Sequence, residues 1–160
     1  MARLQRNRRK QGGHCAEMAA WDSPLVYAGN IYVGISSQCD KPLVRGGLEE
    51  FSQATGAAEN TYWSTPAGTV GASIWSSPAA SGTSVFVTTG NGASSSSDGF
   101  SIVKLSASLS KLDIWTVPAA ECDADSDFGG SPGIWSANIG GVSTKMVGAC
   151  NKNGISTPSG

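Results

Sequence analysis

A Ser-Pro pair returns at a fixed interval in this chain. It stands in Trp21-Asp22-Ser23-Pro24, Trp75-Ser76-Ser77-Pro78 and Gly129-Gly130-Ser131-Pro132, and the prolines are 54 residues apart both times. After each Pro comes a short apolar stretch, then a turn of small residues: Ala28-Gly29-Asn30, Ser81-Gly82-Thr83 and Gly140-Gly141. An alternating strand follows each turn: Ile31–Gly34, Val85–Thr88 and Lys145–Gly148. The first two units continue through Leu48–Ser52 to Tyr62-Trp63, and through Ile102–Leu105 to Ile114-Trp115. Each unit therefore reads as four short antiparallel strands joined by hairpin turns.

Self-similarity at about fifty residues per four-stranded unit is propeller spacing. A sandwich also uses short strands but imposes no fixed 54-residue period. The expected fold is all-β: a β-propeller of four-stranded antiparallel blades over residues 15–160, anchored at Pro24, Pro78 and Pro132. About three blades are present, an incomplete ring, and the third stops before its second half. Open blade edges are templates for pairing with other chains, so the isolated chain is expected to be poorly soluble. The composition agrees, with 21 glycines, much Ser and Thr, and only 14% charged residues, which suits strands and tight turns.

Bulk charge points to no partner. The net charge of −1 gives no field that would draw the chain to nucleic acid or acidic lipid. Residues 1–14 hold a basic cluster (Arg3, Arg6, Arg8, Arg9, Lys10) with no apolar run after it, and read as a disordered or artefactual start. No stretch approaches the length of a membrane span. His14 is the only histidine, which argues against a Ser-His-Asp hydrolase.

The four cysteines follow the repeat. Cys15 and Cys39 flank Pro24, Cys122 and Cys150 flank Pro132, and the middle unit has neither. Disulfides Cys15–Cys39 and Cys122–Cys150 are expected, and with them an oxidising compartment, periplasmic or secreted; the plainer reading is four buried free thiols.

Four phrases carry a family resemblance: Ile74-Trp75-Ser76-Ser77-Pro78, Val87-Thr88-Thr89-Gly90-Asn91, Asp127-Phe128-Gly129-Gly130-Ser131-Pro132 and Asn151-Lys152-Asn153-Gly154. They resemble the PQQ-repeat propellers, which include quinoprotein alcohol dehydrogenases and also propellers with no known activity. The resemblance implies pyrroloquinoline quinone (PQQ) and calcium as cofactors, and an alcohol or sugar as substrate. It implies Asp127, in Asp-Phe-Gly, as catalytic base and calcium ligand. Asn91 matches the family's calcium-binding Asn, Trp75 its quinone-stacking Trp, and Lys152 its cation on the quinone oxygens. Val44-Arg45-Gly46 keeps the end of the family's calcium motif, which places Arg45 with the cofactor. Asp40 stands in for that motif's Glu, displaced by one residue. The family's adjacent Cys-Cys pair is absent, since Cys39 has no Cys neighbour.

The residue types suit these roles. Calcium is a hard ion that takes oxygen ligands, and a Trp offers a flat face to a flat ring. Each residue also has a plainer reading. Asn91-Gly92 and Lys152-Asn153-Gly154 are ordinary turn chemistry. Repeated tryptophans such as Trp21 and Trp75 ordinarily pack between blades, and Trp63 and Trp115 read as packing outright. The second reading of the whole is a non-catalytic propeller that binds protein or polymer on one face.

Overall fold

The computed structural model describes residues 18–38, 42–92, 96–122 and 125–154. The basic start, Cys15, Cys39 and Asp40 lie outside them. Among the described residues eleven strands form three antiparallel sheets. The first sheet holds β2 (Leu25–Tyr27), β3 (Asn30–Ser37), β4 (Gly47–Ser52) and β5 (Ala58–Trp63), with β1 (Met18–Ala19) paired to the far end of β3. The second runs β6 (Ala79–Ser81), β7 (Ser84–Thr88), β8 (Ser101–Ser106) and β9 (Lys111–Thr116). The third is the hairpin of β10 (Gly133–Ile139) and β11 (Val142–Gly148). One 3-10 turn, Ala119–Glu121, joins the second and third. The strands fall where the repeat puts them, and no closed ring forms among the described residues.

The hairpin turns show why the small residues recur. Ala28-Gly29 and Gly140-Gly141 have positive φ at both positions, and Gly82 has it at the first of its pair. These are the mirror-image turns whose twist matches that of the strands they join. The repeat also copies an irregularity. The pairing of β4 with β5 shifts register between Glu50 and Phe51, and that of β8 with β9 shifts between Lys104 and Leu105.

The apolar faces meet between units. One cluster joins Tyr32, Leu48 and Tyr62 of the first sheet to Val85, Val87, Val103 and Leu105 of the second, with Ile74 from the connection between them. A smaller cluster joins Ile102 and Val117 to Phe128 and Ala149 of the third unit. A blade that cannot bury its faces alone buries them against its neighbour. Polar ties run alongside. Tyr32 OH donates to Ala107 O at 2.7 Å. Tyr62 OH donates to Asp98 Oδ2 at 2.5 Å, and Lys111 Nζ lies 2.9 Å from both Asp98 oxygens.

The expected bridge Cys122–Cys150 is not formed; neither residue is in a disulfide. Cys122 packs against the Phe128 cluster, while Cys150 is exposed and its carbonyl accepts from the Gly129 amide at 3.1 Å. Backbone pairing already joins this part of the third unit, and the two thiols occupy different environments within it.

Candidate functional site

The site grows from strand ends. Beyond the hairpin of the third unit the two chain segments stay paired. Gly129 N donates to Cys150 O at 3.1 Å, Phe128 bridges Asn151, and Lys152 N donates to Asp127 O at 2.9 Å. Phe128 is 1% exposed and fixed in its apolar cluster. Asp127 and Lys152 are thereby set opposite each other, and Lys152 Nζ reaches Asp127 Oδ2 at 3.1 Å. Asn151 stiffens the turn from behind: its Nδ2 donates to Ser126 O at 2.5 Å, and its Oδ1 accepts from Asn153 N at 3.1 Å. The Lys-Asn-Gly phrase is thus turn chemistry, and the turn also aims an ammonium at a carboxylate.

The second unit supplies the other wall. The connection leading to Trp75 lies beside the chain that leaves β7: Gly90 N donates to Ser73 O at 2.8 Å and Ala72 N to Asn91 O at 2.6 Å. Gly90 is the meeting point. A Cβ built there would lie 3.4 Å from both Asp127 Oδ1 and Trp75 Nε1, so Gly90 sits within contact distance of both. Asn91 Nδ2 donates to Asp125 Oδ1 at 3.2 Å. Asn91 Oδ1 is buried without a hydrogen-bond partner among the described residues.

A cleft of about 340 Å³ collects these groups. Trp75, Gly90, Asn91, Asp127 and Lys152 line it, together with Trp21, Ser37 and Ser73. Ser37 and Ser73 are linked hydroxyl to hydroxyl at 3.0 Å. Asp127 is 6% exposed, and a carboxylate at that depth needs a compensating charge. Lys152 provides it and also holds Asp125 Oδ1 at 3.0 Å. The hydrogen bond that Lys152 donates to Asp125 is the largest influence raising the Lys152 pKa above its ordinary value; desolvation opposes it, and Asp127 adds to it. Lys152 in turn holds the exposed Asp125 carboxyl below its ordinary value, with Asn91 assisting.

Four of the residues singled out from the sequence therefore meet: Trp75, Asn91, Asp127 and Lys152. Arg45 does not join them among the described lining. Its Nε and Nη2 donate to Thr65 O at 3.0 and 2.6 Å, and its guanidinium stacks on Trp63, 4.4 Å from the ring centroid. Trp115 packs against the Phe128 cluster. Trp21 departs from packing, since it is 59% exposed at the cleft. Sequence reasoning missed Trp21, Ser37, Ser73, Gly90 and Asp125 as site residues. The 54-residue step from Trp75 back to Trp21 was the available signal for the first. Among the described residues no three His, Cys, Asp or Glu side chains gather as a metal cluster.

No family model matches the chain, and no curated protein matches it. Solved structures do. The chain is similar to the quinohemoprotein alcohol dehydrogenase ADHIIG from Pseudomonas putida HK5, with TM-score 0.75 and 16% identity, over 88% of this chain and 26% of that one. It is similar to the quinohemoprotein alcohol dehydrogenase from Comamonas testosteroni, with TM-score 0.71 and 18% identity, over 88% and 27%. A europium-containing methanol dehydrogenase gives TM-score 0.65 and 15% identity, over 83% and 30%. The chain thus shares the fold of part of the quinoprotein dehydrogenases, and spans less than a third of the length of each of these three structures.

Proposed function

We propose that this chain is part of a PQQ-dependent dehydrogenase, periplasmic or secreted, that oxidises an alcohol or a sugar. The observation that carries the reading is Asn91 Oδ1. Among the described residues this buried oxygen has no donor, and Asn91 lines one cleft with an ion-paired carboxylate and a tryptophan. A buried acceptor left without a partner is costly, and a cation at this point would satisfy it.

The residues fit the cofactors. Asn91 Oδ1 and the Asp127 carboxylate are hard oxygen donors of the kind calcium takes, and Asp40 is assigned as a further one. Trp75 offers a flat apolar face to a flat ring. Bound there, the quinone supplies an electrophilic carbonyl carbon that accepts hydride, and calcium beside it adds Lewis acidity.

The chain's own part is acid–base and electrostatic. Asp127 takes the hydroxyl proton of the substrate as the carbinol C–H leaves with its electron pair and the carbonyl forms. Lys152, held as an ammonium, stabilises negative charge that develops on oxygen next to it. Gly90 keeps the floor between Trp75 and Asp127 open. Arg45 has a supporting part: its two bonds to Thr65 O fix the segment that precedes β4.

The second reading is a non-catalytic propeller that serves as a protein- or polymer-binding scaffold. The turn at Lys152-Asn153-Gly154, in which Asn151 Oδ1 accepts from Asn153 N at 3.1 Å, accounts for that phrase as turn chemistry and favours it. A PQQ titration with calcium separates the two, comparing wild type with Asp127→Asn and Lys152→Ala. Saturable, calcium-dependent binding weakened by either change supports the dehydrogenase. A folded chain that binds no PQQ, alone or within a longer protein, leaves the scaffold.

A further inference from the structure

Trp21 has no part in the reading above; among the described tryptophans Trp135 is exposed too, at 43%, but only Trp21 is exposed and lines the cleft. Trp63 carries a guanidinium on its face and Trp115 packs in a cluster. Trp21 leaves 59% of its surface in water while lining the cleft. Its backbone is held on both sides. Ala19 pairs with Ser36, Asp22 Oδ2 accepts from Gly34 N at 2.8 Å, and Ser23 N donates to Ser77 Oγ at 2.9 Å. An indole whose base is fixed at the edge of a polar cleft is a preorganised stacking surface.

We propose that Trp21 is a substrate platform, and that it selects a cyclic polyol such as a pyranose. This deepens the dehydrogenase reading by naming the substrate class. A sugar ring has an apolar face of C–H groups that suits the negative face of an indole, and a rim of hydroxyls. Ser37 and Ser73, linked hydroxyl to hydroxyl at 3.0 Å, line the same cleft and give the ring's hydroxyl rim a polar wall. A short acyclic alcohol would gain the hydroxyl contacts and leave the indole wet. Trp75, one repeat later, is left for the quinone.

The test is direct binding of methyl β-D-glucopyranoside, read by tryptophan fluorescence and by saturation-transfer NMR on the ring protons, with glycerol as the faceless control. Trp21→Ala should weaken pyranoside binding roughly tenfold or more, the scale of one good stacking contact. Trp21→Phe should restore most of it, and glycerol should not bind comparably. Trp21→Ala should also bind PQQ with calcium as wild type does, while Trp75→Ala should not. Pyranoside affinity unchanged in Trp21→Ala, or glycerol bound as well as the pyranoside, would overturn the platform. So would loss of PQQ binding in Trp21→Ala with pyranoside binding intact, because Trp21 would then belong to the cofactor. Pyranoside binding through Trp21 in a chain that takes no PQQ would retire the dehydrogenase reading and leave the platform standing.

Discussion

Ser23 and Ser77 hold the same place in successive units and are bonded to each other: the amide of Ser23 donates to Ser77 Oγ at 2.9 Å, across 54 residues. A contact between repeat-equivalent positions ties one unit to the next, two residues along from Trp21 and Trp75 in each. Ser77→Ala should cost about 1 kcal/mol of stability, the usual value of such a bond, measured by urea unfolding. It should also loosen Trp21, seen as a red shift of its emission.

Lys152 is the counter-charge to a buried carboxylate. Losing one partner of a fully buried pair costs several kcal/mol. The Lys152 side chain is 41% exposed, so water offsets much of the loss, and Lys152→Ala should cost about 1 kcal/mol. Asp127→Asn in the same background should recover most of it, because the buried charge that lost its ammonium is then gone. A double-mutant cycle checks this.

Asn91 Oδ1 should respond to cations. Millimolar calcium should raise the melting temperature of wild type and leave that of Asn91→Ala unchanged. The linkage relation sets the scale: calcium at one hundred times its dissociation constant adds about 2.7 kcal/mol. Equal shifts in the two proteins would count against a cation at this oxygen.

Phe128 holds the site from beneath. It is 1% exposed in the smaller apolar cluster, and Phe128→Ala should cost about 3–5 kcal/mol. Because Asp127 precedes it directly, quenching by PQQ should fall even under conditions where the variant remains folded, as judged by far-UV circular dichroism.

Asp22 gives the chain a pH signature. Burial raises its pKa above the ordinary 3.8, against the lowering effect of the Gly34 amide. The folded state thus holds this proton more tightly than the unfolded one. The contribution is fully present below 3.8 and is lost as pH rises through the raised folded value. Melting temperatures of wild type and Asp22→Asn, compared across that window, should diverge in this direction, with the variant losing less on the alkaline side.

The architecture was legible because the repeat is explicit. Pro24, Pro78 and Pro132 set the frame, and the small-residue turns mark each hairpin. Trp75, Asn91, Asp127 and Lys152 could be grouped because all stand near strand ends, which the repeat brings to one side. Trp21 was passed over because a repeated Trp ordinarily packs between blades, and nothing in a sequence says which of two equivalent rings a neighbour covers. The Cys122–Cys150 bridge was inferred from symmetry about Pro132, which fixes spacing along the chain but not the direction of either side chain. Arg45 followed a motif, whereas its partners, Thr65 O and the Trp63 ring, lie in and just after β5 and depend on tertiary packing.

The matched register shifts have a consequence for how this chain tolerates change. Glu50/Phe51 and Lys104/Leu105 are the same step in two copies, so each sheet absorbs one unpaired residue at a set point. Beyond that point the side chains of the outer strands return to their proper faces, much as a frame is restored in a message. Loss of one residue from that step would turn the end of an outer strand inside out. Insertion or removal of a whole 54-residue unit would leave every face where it was. Such a chain can lengthen by copying units more safely than it can drift by single residues.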